Sequence, residues 1–412
     1  MVPVSRPHCR LCAAPLELSF VDLGVSPLCQ THVEPDRLDA PEIFHPLHAR
    51  LCGQCLLVQV PHQVSPQELF GDYAYFSSYS DSWLAHARDY VAAAVERLGL
   101  NAGSHVVEIA SNDGYLLREF VARGIPCLGV EPAANVAREA IARGVPTAVR
   151  FFSQAVAQSL VREHGAADLI VANNVLAHVP DPNDFVAGLA ILLKPGGVAT
   201  LEFPHLLRLM RENQFDTIYH EHFSYFSLRV AQTLFERHGL AIVDVDELPT
   251  HGGSLRVHAR HRAAAAPPSA NVTHVLAAES AAGLDRPGGY AGFAEQVHET
   301  KRALLSFLID ARRAGKRVAG YGAPGKGNTL LNFCGIRTDL LEYTVDRSPH
   351  KQGRYTPGTR IPIRPPETIF ATRPDYVLIL PWNLASEITA QMQGIREWGG
   401  RFVVPIPTLT VL

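Results

Sequence analysis

The sequence predicts an α/β protein in three parts. Three observations carry this: two separate sets of short apolar runs alternating with amphipathic stretches, a Pro/Ala-rich join between them, and two Cys-x-x-Cys pairs in a strand-rich segment ahead of both. The 412 residues suffice for two or three domains with ample core. With 37 Lys+Arg against 40 Asp+Glu, 19% charged residues and 47% hydrophobic ones, the chain is neither disordered nor a basic nucleic-acid coat, which points to a small-molecule partner. The first twelve residues lack the apolar run of a secretory signal, and no stretch approaches the ~18 apolar residues of a membrane span. A cytoplasmic protein with neither a membrane nor a nucleic-acid partner is expected.

The first 70 or so residues contain strand-like pieces at 16–23 and 56–60 separated by Pro, Asp and Gly. Cys9 and Cys12 are followed, after 39 intervening residues, by Cys52 and Cys55. Four soft thiolates in two short loops make a tetrahedral zinc site, and four protein ligands leave no position for a reactive water, so the zinc is expected to be structural. His8 and His48 are weaker alternatives as ligands. Cys29, Cys127 and Cys334 read as lone buried thiols.

A helix then starts at Asp81, its apolar residues Leu84, Ala87, Val91, Ala94, Val95 and Leu98 recurring at three and four spacings. Strand signals follow at 106–110, 127–131, 169–173 and 198–203, the last after the turn-like Lys194-Pro195-Gly196-Gly197. Such alternation predicts a parallel sheet covered on both faces, with 241–248 and 254–261 closing it as an antiparallel hairpin. The stretch 262–271 has a linker's composition. A second, smaller doubly wound sheet is expected from strands at 317–322, 341–346, 375–380 and 401–406.

Four patterns carry chemistry. The zinc pairs are the first. The second is VVEIASNDGYLL, 106–117, where a strand runs through a tight turn at Gly114 into a helix and leaves backbone N–H groups at the strand's carboxyl end. It has one glycine where a dinucleotide loop has three, so a cofactor without a pyrophosphate is favoured; Glu108 sits at the strand end, and Glu131, 23 residues later, is placed to accept the two hydroxyls of a ribose. The third is FDTIYHEHFSYFS, 215–227, in which Tyr219, His220, Glu221, His222 and Tyr225 fall within seven residues. HEH lacks the i, i+4 histidines of a zinc protease, and proton transfer suits this set better. His178, just past the strand at 169–173, points to the same edge. The fourth is GYGAPGKGNTLLN, 320–332, which lacks the spacing of an ATP-cleaving loop but suits an anion anchor at a helix start. Tyr321, Lys326, Asn328 and Asn332 are its substrate-side candidates. Asp346, His350, Lys351 and Arg354 supply a second wall.

Taken in order, the cysteine pairs, EIASNDGYLL, NNVLAHVPD, FDTIYHEHFSYFS, THGGSLR and GYGAPGKGNTLLNFCGI resemble the S-adenosylmethionine-dependent sugar C-methyltransferases that act on nucleotide-linked 4-keto-deoxysugars, and the resemblance spans essentially the whole chain. It implies a zinc-binding domain at 1–72, a Rossmann-like methyltransferase domain at 73–262, and a C-terminal doubly wound, nucleotide-binding-like domain at 263–412 that holds the nucleotide sugar. It further implies that His222 is the base, with Tyr219 and Glu221 beside it, His178 opposite, and Tyr73 entering the sugar pocket ahead of Tyr75 and Tyr79. S-adenosylmethionine contacts are implied for Glu108, Ala110, Asn112, Gly114, Tyr115, Glu131 with Pro132, Phe151, Phe152, Asn173 and Asn174. The implied substrate is a thymidine-diphosphate-linked 4-keto-6-deoxysugar methylated at C3. Ala110 and Ser111 stand where members acting on 3-amino sugars tend to have glycine and cysteine, and Ser254 where they can have an acid, which argues against an amino sugar. The alternatives weighed are an NAD-dependent nucleotide-sugar oxidoreductase, disfavoured by the missing glycines, and a noncatalytic zinc and nucleotide-binding module, disfavoured by the cluster at 219–222.

Overall fold

The computed structural model describes residues 7–61, 64, 78 and 81–412, with the side chains of residues 81 and 82 left aside. At the N-terminus β1 (Leu18–Ser26), β2 (His45–Leu51) and β3 (Val58–Gln59) form an antiparallel meander. Each cysteine pair lies in a tight turn of the same design. Ala13 N–H bonds back to Cys9 O (2.8 Å) and Leu56 N–H to Cys52 O (3.1 Å), with left-handed backbone at Ala13 and Leu56 (φ 61° and 63°). These turns aim the four sulfurs at one point, all within 4.8 Å of one another. Tetrahedral Zn–S bonds of about 2.3 Å place sulfurs ~3.8 Å apart, and the closest pairs here stand 3.4 and 3.5 Å apart. The donor set therefore fits a closed four-thiolate zinc site. His48 turns instead to Ser19 (2.8 Å).

The central part runs α1 (Asp81–Leu98), β4 (Val106–Ile109), α2 (Leu117–Val121), β5 (Cys127–Val130), α3 (Ala134–Ala142), β6 (Thr147–Ala148), α4 (Gln154–His164), β7 (Ala167–Asn173), α5 (Pro182–Leu192), β8 (Leu193–Pro204), α6 (Leu206–Arg211), β9 (Ser224–Tyr225), α7 (Leu228–Arg237), β10 (Leu240–Leu248) and β11 (Ser254–His261). Seven of these strands make one sheet in the order β10-β11-β8-β7-β4-β5-β6, parallel from β8 to β6, with the β10–β11 hairpin added antiparallel as the sequence predicts. Alternation sorts its side chains to two cores: Val107, Ile109, Ile170 and Ala172 to one face, Val106, Leu169 and Val171 to the other. One reading of the sequence fails here. The Lys194-Pro195-Gly196-Gly197 turn lies inside β8, because Leu193 pairs with Ala167 across an irregular register and Gly197 leaves room where a Cβ would meet Ala167 O and Asp168 O at 2.9 and 3.0 Å.

The C-terminal part comprises α8 (Ala270–Ala281), α9 (Phe293–Arg313), β12 (Val318–Tyr321), α10 (Gly325–Cys334), β13 (Thr344–Val345), β14 (Ile363–Arg364), α11 (Glu367–Thr372), β15 (Tyr376–Ile379), α12 (Ala385–Gln391), β16 (Arg401–Val404) and β17 (Thr410–Val411). Its sheet, β14-β13-β12-β15-β16-β17, is parallel save for β17. Both faces are buried, Leu378 and Val403 on the side of α9 and α10, Val377 and Phe402 on the side of α11 and α12.

The N-terminal and central parts interlock through short β9, which the sequence reading missed. It pairs with β3, Val58 opposite Tyr225, so the segment following His222 completes the N-terminal sheet. Among the described residues no helix is long and apolar enough to cross a membrane.

If the four thiolates share one ion, the purified protein contains about one zinc per chain. Cys52→Ser is then expected to lower zinc content and the thermal midpoint together, as read by elemental analysis and calorimetry. A zinc-free protein with a native melting temperature would remove the ion from the fold.

Candidate functional site

The sheet order reverses beside β4, with β5 on one side and β7 on the other, and this opens a crevice at the strands' carboxyl ends. A cavity of about 510 Å³ lies there. The loops that shape it are left-handed at Ala110, Asn112 and Gly114 after β4 (φ 57°, 50° and 76°) and at Asn174 after β7 (φ 54°). Glycine and asparagine accept this backbone readily, whereas Ala110 takes it at some cost.

One end of the cavity is apolar and aromatic, with Ile109, Val130, Pro132, Phe151, Phe152 and Phe185. Its polar groups are few. Glu131, at the end of β5, is held by Asn112 N–H and Ala133 N–H, both donating at 2.9 Å; burial raises its pKa while these bonds oppose the rise. The buried Asn173 Oδ1 has no hydrogen-bond partner among the described residues. A flat apolar slot with an oriented carboxylate and an unsatisfied acceptor fits an adenosine-bearing cofactor. Of the residues expected at a cofactor, Ala110, Asn112, Tyr115, Glu131, Pro132, Phe151, Phe152, Asn173 and Asn174 line the cavity. Glu108 and Gly114 do not. Glu108 lies under the loop in β4, 1% exposed, its pKa pushed well up by burial and by Glu131 and Asp113. Gly114 packs against Val145 and Ala140, where a Cβ would clash at 2.9 Å.

The other end gathers His178, Thr217, Tyr219, Glu221, His222, His251 and Lys326. Tyr219 lies over His222 with ring centroids 4.1 Å apart, and His178 meets His222 edge-on at 4.7 Å. Each imidazole is fixed by a carbonyl: Nδ1–H of His222 donates to Thr217 O and Nδ1–H of His178 to Glu221 O, both at 2.8 Å. A carbonyl only accepts, so these bonds set the tautomer and make Nε2 the lone-pair nitrogen in each ring. Burial, with His178 nearby, holds His222 well below the ordinary imidazole range, and burial holds His178 at about 4. Both rings are neutral at pH 7. Glu221 is shifted the opposite way, to about 7, because burial outweighs the bond it accepts from Cys29 Sγ (3.4 Å). Cys29 is thus more than an isolated core thiol. His220 faces away, toward Pro46 O (3.2 Å).

Several substrate-side expectations are not met at this cavity. Of the fourth pattern only Lys326 reaches it, with Nζ bonded to Asn383 Oδ1 (2.7 Å) over the Trp382 ring. Tyr321 is packed into the C-terminal core. Asn328 donates to Cys29 O (2.7 Å) and Asn332 to Asn328 O and Pro357 O, so these amides tie segments together. Lys351 is drawn to Ala323 O (3.0 Å), and Arg354 pairs with Glu34 (2.7 Å). Tyr73, Tyr75 and Tyr79 lie outside the described residues.

Among the wall residues that escaped the sequence reading are Trp83 and His251. Trp83 stands between Tyr115 (6.1 Å) and His251 (5.0 Å), bridging the two ends. His251 projects from a loop with three successive left-handed residues, His251, Gly252 and Gly253 (φ 54°, 91° and 113°). Any Cβ on Gly252 would strike Trp382 at 2.7 Å, so the glycine lets Trp382 brace the loop. The sequence signal was THGG, which reads as a hairpin turn alone.

Behind Thr217, Asp216 is fully buried. Its Oδ2 accepts from Trp382 Nε1–H (2.8 Å), Oδ1 has no partner among the described residues, and burial raises the carboxyl from 3.8 to about 7. Between those values the folded protein keeps a proton that the unfolded chain has released, so stability falls as pH rises through that window. Asp216→Asn removes this dependence. Relative to the native chain it is expected to gain on the order of a few kcal/mol in going from pH 5 to pH 8, read from denaturant melts. An equal difference at both pH values would mean that Asp216 is ionised in the fold.

Comparison with known proteins gives a consistent result. Family models match residues 9–70 (zinc binding domain), 83–245 (methyltransferase domain) and 249–407 (C-methyltransferase C-terminal domain). The chain is 39% identical over 414 residues to C-methyltransferase NovU of Streptomyces niveus, covering 100% of this chain and 99% of that protein. A ubiquinone biosynthesis O-methyltransferase of Sodalis glossinidius is 32% identical over 113 residues, 26% of this chain and 43% of that one. Among solved structures, magnesium protoporphyrin IX methyltransferase from Synechocystis PCC 6803 with bound SAM matches 47% of this chain and 88% of its own at 17% identity and a TM-score of 0.34, too distant to bear on the site. With a full-length relative, the three domain matches and a four-thiolate cluster, the chain belongs to the zinc-containing, S-adenosylmethionine-dependent C-methyltransferases.

Proposed function

We propose that the enzyme methylates C3, beside the C4 ketone, of a thymidine-diphosphate-linked 4-keto-6-deoxysugar, and that His222 removes the C3 proton. The observation supporting this most is the Nδ1 bond from His222 to Thr217 O. It leaves Nε2 as the lone-pair nitrogen of a cavity-lining ring that burial keeps neutral, beside two groups able to donate to an oxygen.

A proton beside a ketone is acidic only insofar as the enolate oxygen is stabilised. Tyr219 and Glu221 supply that stabilisation. A carboxyl held at about 7 keeps much of its proton at neutral pH and can give a hydrogen bond where an ordinary glutamate could only accept. The low basicity of His222 is offset as the reaction proceeds, because the imidazolium forms next to the developing enolate charge. Bound S-adenosylmethionine supplies an electrophilic methyl on a sulfonium. Glu131, Asn173 and the aromatic slot hold the adenosine, Trp83 closes the junction between the two ends, and Lys326 meets the substrate's anionic portion. After transfer, His222 returns its proton to solvent; its depressed pKa makes that release easy. Soluble sugar biosynthesis is the setting this chemistry implies.

With S-adenosylhomocysteine in place of the methyl donor, the enzyme is expected to exchange the C3 hydrogen of the sugar for deuterium in deuterated water. His222→Ala should abolish that exchange and lower methylation by roughly 10² to 10⁴-fold, while Tyr219→Phe costs less. Near-native exchange in His222→Ala alongside an inactive His178→Ala would move the base to the opposite wall. At the cofactor end, Glu131→Ala should weaken S-adenosylhomocysteine binding by about one to two decades in calorimetry, the worth of roughly 1.5–3 kcal/mol for bonds to a charged acceptor. An unchanged affinity would place the ribose elsewhere.

A further inference from the structure

Arg10 lies between two zinc ligands, inside the Cys9–Cys12 turn, yet its side chain leaves that turn. NH1 donates to Phe223 O and to Ser224 Oγ (3.1 Å), and NH2 donates to Val60 O (2.8 Å), with the guanidinium 5.5 Å from the Phe223 ring centroid. Phe223 directly follows His222. Its carbonyl also accepts from Val60 N–H (3.0 Å), and its own N–H donates to Ala177 O (2.7 Å), next to His178. The backbone carrying Glu221 and His222 is therefore pinned on one side by the zinc turn and on the other by the loop of His178. The turn itself is tied down. Gln59 donates to Cys9 Sγ (3.2 Å) and accepts from Arg10 N–H (3.1 Å), and the carbonyls of Arg10 and Leu11 accept from Asn183 and Arg237. Four thiolates brought this close would repel one another without a shared cation. The turn that a shared cation would close is thus bonded through Arg10 to the backbone next to His222.

We infer that Arg10 is a positioning residue for methyl transfer, coupling the four-thiolate turn to the placement of His222 and Glu221. This rests on the proposed role of His222. A guanidinium is suited to the task because its planar fork reaches two carbonyls and a hydroxyl at once, which an ammonium cannot match. The zinc site thereby acts on the rate of the reaction without taking part in it.

The test uses the full-length, zinc-loaded enzyme with Arg10→Met and Arg10→Lys. Zinc content, S-adenosylhomocysteine affinity, kcat and KM for the sugar nucleotide, and amide hydrogen exchange at Val60 and Phe223 are measured in each. Arg10→Met is expected to keep about one zinc and native cofactor affinity, to lose kcat on the order of 10²-fold with KM within twofold, as for a small displacement of a reacting group, and to exchange the Val60 amide faster. Arg10→Lys should recover part of the rate. A native kcat in Arg10→Met, or a loss of kcat that only follows loss of zinc, overturns the inference. Should Arg10→Met fail to fold, Arg10→Lys decides: a several-fold fall in kcat with zinc retained supports it, and a native kcat overturns it. His222→Ala run in parallel separates the two readings. If that variant is inactive and Arg10→Met is native, only the Arg10 link fails; if it retains native turnover, the base assignment fails.

Discussion

The site depends on how the backbone from Thr217 to Tyr225 is held. Three carbonyls in this short stretch do the work: Thr217 O fixes His222, Glu221 O fixes His178, and Phe223 O is gripped by Arg10 and by Val60 N–H. Each side-chain bond is at least partly buried, so a lost partner leaves a polar group with little water to replace it, at a cost of up to about 1–3 kcal/mol. The segment cannot move without breaking several bonds together. Two imidazoles, a phenol and a carboxyl consequently share one wall with fixed tautomers and a fixed separation. A loop carrying the same residues without those bonds would sample many geometries, few of them reactive.

Much of this organisation was legible in the sequence. The Cys-x-x-Cys spacing leads directly to the sulfur cluster, since a turn of that length leaves its two thiols few directions. The strand-end acid Glu131 lines the cavity because parallel strands deliver their carboxyl ends to one edge, wherever the sheet order reverses. The density of YHEH marked a stretch of which Tyr219, Glu221 and His222 line the cavity. What the pattern could not show is which member of that run faces inward. His220 and His222 are two residues apart, and only the tertiary bonds to Pro46 O and Thr217 O separate a wall histidine from a structural one. The fourth pattern is ambiguous in the same way. Asn328, Asn332, Lys351 and Arg354 are the residue types an anion site uses, but they are also the types that join segments, and their partners lie far off in the chain. β9 was illegible for a different reason: two residues carry no periodicity, and their pairing with β3 crosses more than 160 positions.

His251 and Trp83 show a third kind of omission. Neither belongs to a motif of chemically reactive residues at short spacing. Their place in the wall comes from the loop geometry at 251–253 and from the stacking of Trp83 on His86 (4.9 Å), which is in turn held by Glu202. Glu202 is kept ionised in spite of burial by His86 and Arg256. A buried charged network thus backs an aromatic wall, and the aromatic ring is what the cavity sees.

The electrostatics of the cavity follow from the same burial. His178, His222 and His251 are all held below the ordinary imidazole range, and Lys326 is lowered by burial against the pull of Asp216. A pocket crowded with basic side chains would, if all were protonated, exclude a sulfonium. Kept neutral, the imidazoles leave the cavity free of that repulsion and keep their lone pairs for proton transfer. In the proposed reaction, the burial that makes these rings weak bases in the resting protein serves cofactor entry and proton abstraction together. The compensating charge would appear only as the enolate forms, and that ordering favours the transition state over the resting complex.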